Sequence, residues 1–221
     1  MTDPFFYIKG IALAYALFFI VRMARDACAD ISFISFIWKN TCPKMYAEML
    51  GILILVISTM FLLLTFVPFM RFGWMNFFAA EGGNIMLTSF TNLAERHDFV
   101  RFAPALLLAS LIFLAPFFVK VEEEIFRYGH TEWKAISLQS VKFGLVHLAL
   151  GIPLAAPVSL IILGFFLGHK YRKAYRETLP VCGEDLNMAH MRALATSITY
   201  HTIFDCLLLV ILLAGLVTSF V

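Results

Sequence analysis

Three glutamates, Glu122, Glu123 and Glu124, are followed by Phe126 and Arg127 at the end of an apolar stretch whose residues 102–119 include one serine and no charge. Two further polar pairs interrupt apolar runs: Phe143 with His147, and His201 with Asp205. Carboxylates and imidazoles exchange protons with water and with reacting groups, so together they are the raw material of general acid–base hydrolysis. In each pair, as in Glu123 with Arg127, the members are four residues apart, which puts them on one face of a helix. Glu123 and Arg127 are suited to an internal ion pair that fixes the guanidinium. Glu122 is turned from Glu123 by about 100°, so it is free to face a cavity.

The elements that must carry these groups are membrane-type helices. Of the 221 residues, 61% are hydrophobic and 14% charged, with a mean hydropathy of +0.86; soluble domains carry about 45–50% apolar and 25% charged residues. A charge at the centre of a spanning helix costs about 2.5–3.5 kcal/mol on insertion scales, so three Glu and one Arg facing lipid would cost roughly 10 kcal/mol. These groups therefore line a protein-walled or wet cavity. The expected fold is all-α: a polytopic membrane helix bundle, one domain over residues 1–221, with about six to eight transmembrane helices around an intramembrane polar cavity. Six candidate spans are legible, at residues 5–23, 46–70, 102–128, 138–150, 154–168 and 190–217. The fourth and fifth are short and separated by Gly151-Ile152-Pro153, so they form two spans joined by a tight turn or one broken element. Residues 73–80, with Trp74, Phe77 and Phe78, read as interfacial.

Lys/Arg bias sets orientation. Arg22, Arg25, Lys39 and Lys44, then Lys134, then Lys170, Arg172, Lys173 and Arg176 fall in loops of one side, expected to be cytoplasmic; both termini then lie outside. Arg22 and Arg25 directly after the first apolar run mark an anchor and not a cleaved leader. In this topology His147 and His201 lie roughly 15 Å from the basic side at 1.5 Å per residue, and Glu122 is near that side's helix exit, so the site opens toward the cytoplasm. The net charge of +2 and the absence of a long basic tract give no sign of a nucleic-acid partner. Cys28, Cys42, Cys182 and Cys206 have no C-x-x-C spacing and read as free thiols. Glu124 and Lys120 read as solvated helix-end residues, and His97, His130, His169 and His190 as loop or interface residues without a chemical role.

The three elements, in this order, resemble the CAAX-protease and bacteriocin-processing (CPBP, or Abi) family of intramembrane endopeptidases. Its first motif, E-E-x-x-x-R, fits only Glu122, Glu123 and Arg127, with Phe126 before the arginine. Its second, F-x-x-x-H, fits Phe143 and His147; its third, H-x-x-x-N or H-x-x-x-D, fits His201 and Asp205. The resemblance covers about residues 104–213. It implies a peptide bond hydrolysed by a glutamate-activated water, with no acyl-enzyme and no cofactor, on a peptide or lipidated-protein substrate at the bilayer; the short chain with no added domain makes a prokaryotic cytoplasmic membrane the expected location. Within it Glu122, less directly paired with Arg127 than Glu123, is the better general base. His147 would orient the water and His201 would stabilise the oxyanion. Asp205 is expected to fix the tautomer and charge of His201. Other readings stay open: a zinc-dependent protease using Glu122, His147, His201 and Asp205 as ligands, though H-E-x-x-H is missing; a non-catalytic membrane binding or immunity protein of the same fold; and a proton-coupled transporter, disfavoured by the few spans and the lack of a repeat.

Overall fold

The computed structural model describes residues 14, 18, 20–26, 28–73, 103–183 and 185–218. The regular elements among them are all helices. Residues 20–26 are helical, and Met23 packs with Leu114 and Phe117. The segment expected to be a basic loop contains a short helix, α1 (Ile31–Lys39). It forms because Asp30 caps it, accepting from the Phe33 backbone N–H at 3.2 Å. The spacing of Ile34 and Ile37 also gives it a buried stripe.

The second helix, α2 (Pro43–Phe66), starts on a proline, where the missing N–H costs nothing, and stops before Pro68. Arg71 folds back to donate from Nε to the Leu64 carbonyl at 2.6 Å, satisfying part of the frayed helix end. Helix α3 (Ala103–Phe126) carries the glutamates on its last turn and gives way at Gly129, whose φ of +78° suits a residue without Cβ. The pieces after it are α4 (Trp133–Val146), a 3₁₀ turn (His147–Leu150), α5 (Ala155–Cys182) and α6 (Leu186–Thr218). Gly151, at φ +77°, makes the α4–α5 turn, and Pro153 and Pro157 flank the start of α5. The fourth and fifth candidate segments are thus two helices of a hairpin. The basic residues after the fifth lie inside α5 and not in a loop, because Lys and Arg are good helix formers and nothing between residues 168 and 179 breaks the helix.

Three helices are long and apolar enough to cross a membrane: Pro43–Phe66, Ala105–Phe126 and Leu186–Leu216. On that basis this is a membrane protein. Of the hairpin helices, α4 is too short to cross and α5, though 28 residues long, is not apolar enough. The first candidate segment lies largely outside the described residues, as does the interfacial stretch beyond Gly73 with Trp74, Phe77 and Phe78, and His97.

The helices alternate in direction, which polar ties at the two ends reveal. At one end Lys170 of α5 reaches Glu48 of α2 at 2.7 Å, and Tyr200 of α6 donates to the same carboxylate oxygen at 2.7 Å. There too Tyr171 accepts from the Gly129 N–H at 2.9 Å and contacts His190 Nδ1 at 2.7 Å. At the other end the Leu154 N–H donates to the Phe72 carbonyl at 2.9 Å. The α4–α5 hairpin is unusually close. A Cβ on Gly144 would sit 2.5 Å from the Pro157 carbonyl oxygen, and one on Gly168 would sit 2.5 Å from Ile136 Cγ2. Gly164 and Gly168 form a G-x-x-x-G face that lets the α4 backbone approach. Gly144→Ala is expected to destabilise the protein by about 1–3 kcal/mol through this overpacking, read as a lower thermal midpoint in detergent. Gly51→Ala, which meets open space, is expected to leave the midpoint unchanged or raise it.

Candidate functional site

The last turn of α3 and the middle of α6 face each other through one carboxylate. Glu123 is fully buried. Its Oε1 lies 2.9 Å from His201 Nδ1, and its Oε2 accepts from the Ser197 hydroxyl and stands 3.6 Å from Arg127 Nε. Ser197, His201 and Asp205 are spaced four apart on α6, so a single face of that helix presents all three. Since a carboxylate accepts, His201 donates Nδ1–H to Glu123, and its Nε2 points at two other carboxylates. Glu122 Oε2 is 3.8 Å away and Asp205 Oδ1 is 3.6 Å away. Both of these side chains keep about a third of their surface open, 36% and 32%. A water molecule within hydrogen-bond reach of both Glu122 and His201 Nε2 fits a separation of this size.

One feature differs from the sequence expectation. The group that orients the His201 ring is Glu123 and not Asp205, because α3 brings Glu123 to Nδ1 whereas the i+4 residue on the same helix reaches only the Nε2 side.

The second motif enters from α4. Phe143 is buried, and its ring is the hub of the site. It meets Phe126 edge-on at 5.6 Å, His147 at 5.1 Å and His201 at 5.4 Å, and the Arg127 guanidinium carbon lies 4.9 Å from its centre. A cation over an aromatic face is attracted by the ring quadrupole, so Phe143 supports Arg127 in addition to Glu123's charge. His147 stands where α4 tightens into its 3₁₀ turn, and its Nδ1–H donates to the Phe143 carbonyl at 2.8 Å. That commitment leaves Nε2 as the ring nitrogen able to accept. His147 is half-buried, and its ring meets Phe143 on the same hub that His201 meets.

The structure therefore brings Glu122, Glu123, Arg127, Phe126, Phe143, His147, His201 and Asp205 into one cluster. Glu124 is exposed outside it, and Lys120 lies over the Phe33 ring at 5.1 Å. Sequence reading missed Ser197, although its place four residues before His201 was a usable signal. It also missed Thr202 Oγ1, which is buried without a hydrogen-bond partner, as are Arg127 Nε and Nη2. Among the described residues no group of three or more His, Cys, Asp or Glu side chains is arranged to hold a metal ion. The four cysteines are free and lie apart from the cluster, except Cys206, whose thiol faces the Ile112 carbonyl at 3.7 Å across the α3–α6 interface.

Comparison with protein-family models, with curated proteins and with solved structures finds no match to this chain.

Removing one member of a buried ion pair leaves the other charge uncompensated, at a cost of about 3–5 kcal/mol. Arg127→Leu is therefore expected to lower the thermal midpoint sharply and to raise protease sensitivity in detergent. Glu122→Gln, on a partly open side chain, is expected to shift stability by less than about 1 kcal/mol in the same assay.

Proposed function

We propose that this chain is an intramembrane endopeptidase of the CPBP type, hydrolysing a peptide bond with a water activated by Glu122. The observation that carries this reading is the His201 ring held between two unlike glutamates. Glu123, sealed from solvent, fixes Nδ1 at 2.9 Å; Glu122, partly open, faces Nε2 at 3.8 Å. A binding protein has no use for two carboxylates of such different access on either side of one imidazole, whereas hydrolysis needs one fixed and one reactive.

In this mechanism the Glu122 carboxylate takes a proton from water as the water oxygen attacks the scissile carbonyl carbon. His201, in its imidazolium form, donates Nε2–H to the oxyanion that forms. His147, with Nδ1 committed to the Phe143 carbonyl, orients the water through Nε2. Collapse of the tetrahedral intermediate breaks the C–N bond, and Glu122 returns the proton to the leaving amine. No acyl-enzyme forms and no cofactor takes part. Asp205 holds the charge of His201 on its Nε2 side. The substrate is a peptide or a lipidated protein at the bilayer.

The membrane placement belongs to the same reading: a multi-pass protein of a prokaryotic cytoplasmic membrane with its basic end toward the cytoplasm. Lys39, Lys44, Lys134 and the α5 cations gather at that end, and the glutamates sit one to two turns from it. This would open the site to the cytoplasmic leaflet.

Mass spectrometry of membrane and secreted peptides from cells carrying the wild type or Glu122→Gln tests the proposal. Cleavage products are expected to disappear in the variant, with a rate loss of about 10²–10⁴ and an unchanged thermal midpoint. Full cleavage by a folded Glu122→Gln protein would refute it, and product-free wild-type cells would favour the non-catalytic alternative. Cleavage is also expected to persist in strong chelators; loss that zinc restores would move the same residues to the metal-assisted reading.

A further inference from the structure

A second amphipathic feature lies between α2 and α5, and no residue of the carboxylate–imidazole cluster lines it. Ile52, Ile161, Ile162, Phe165, Phe166 and His169 form an apolar groove of about 440 Å³. His169 also lines a cavity of about 370 Å³ with Arg172, Lys173, Arg176 and Glu177. The shared histidine makes the two neighbours: an oily slot with three cations and one carboxylate beside its end.

The wall between them is built. Trp133 stacks on Phe165 at 5.6 Å and on His169 at 5.8 Å, with rings nearly parallel at 15° and 10°. The Arg172 guanidinium lies 4.6 Å from the Trp133 ring centre, and its Nε donates to the Thr131 carbonyl at 2.9 Å. That fixes the guanidinium beside the cavity through Nε and the ring face. Among the described residues Lys173 pairs with Glu177 at 3.7 Å, an exposed contact too weak to neutralise the cluster.

The groove runs along part of an apolar span and stops near its basic end. Ile161 and His169 are separated by about 12 Å along the helix, below the level where Lys170 meets Glu48 in the opening turns of α2. Arg172, Lys173 and Arg176 follow within the next two turns, at the end of the apolar spans, and the half-exposed Trp133 ring marks the interface there. We propose that this is a binding site for an anionic phospholipid of the surrounding bilayer, its phosphate held by Arg172, Lys173 and Arg176 and an acyl chain laid along the α2–α5 groove. Charge complementarity singles out this occupant: a zwitterionic lipid would bring its own headgroup cation beside three cations, an uncharged lipid would leave them unpaired, and a soluble anion would leave the slot empty.

The test is native mass spectrometry of the full chain in neutral detergent, titrated with phosphatidylglycerol or with phosphatidylcholine of the same acyl chains. Phosphatidylglycerol is expected to bind roughly tenfold more tightly, and inorganic phosphate in excess is expected not to displace it. Lys173→Gln/Arg176→Gln, both at the surface, should remove most of that preference without changing the thermal midpoint. Lys39→Gln/Lys44→Gln removes the same charge from the same end of the protein and should retain it. Equal binding of the two lipids, an unaffected Lys173/Arg176 variant, an equal loss in the Lys39/Lys44 control, or displacement by phosphate would each overturn the proposal.

Discussion

A single buried carboxylate organises this protein. Taking an ionised glutamate wholly out of water costs several kcal/mol after relaxation unless its oxygens are matched, and Glu123 has no solvent contact at all. Ser197, His201 and Arg127 match it. Two of these partners come from α6 and one from the turn that ends α3, so satisfying the charge also fixes how these two helices meet. Once they meet this way, the neighbouring Glu122, one helical step round, can only lie on the Nε2 side of His201. The two glutamates are adjacent in the chain but differ completely in their access to water.

The hairpin of α4 and α5 supplies the third wall, and its precision comes from what its contact surfaces lack. Gly144, Gly164 and Gly168 have no Cβ where the partner backbone or Ile136 would collide with one. The close approach carries Phe143 into the core, where its ring touches Phe126, His147, His201 and Arg127 together. His147 follows at the start of a 3₁₀ turn, held by the Phe143 carbonyl. A slightly wider hairpin would leave the guanidinium without its aromatic support and the two imidazoles without their common neighbour.

Further polar ties away from the cluster keep the bundle in register. Glu48, Lys170 and Tyr200 join α2, α5 and α6, and Lys170 also lies over the Tyr200 ring at 4.6 Å. Tyr171 joins the end of α3 to α5 and, through His190, to α6. In an apolar setting such hydrogen bonds supply direction where hydrophobic contact supplies none. They stand toward the basic end, on the side where the glutamates lie.

Helices α2, α3 and α6 are legible in the sequence because long uninterrupted apolar runs have no other stable form in a bilayer. The pairing of residues on common faces is legible too, since four-residue spacing fixes it within any helix: Glu123 with Arg127, Phe143 with His147, His201 with Asp205. Helix α1 was hidden because nine residues are too few to announce a span, and the extension of α5 was hidden because Lys and Arg look like a loop while leaving helix geometry intact. What no spacing rule could decide was which carboxylate meets His201 Nδ1. Asp205 is nearer in the chain by far, yet Glu123 takes that bond, because the choice depends on the approach of α3 to α6. Contacts within a helix follow from local geometry; contacts between helices follow from packing, and only the folded chain determines that.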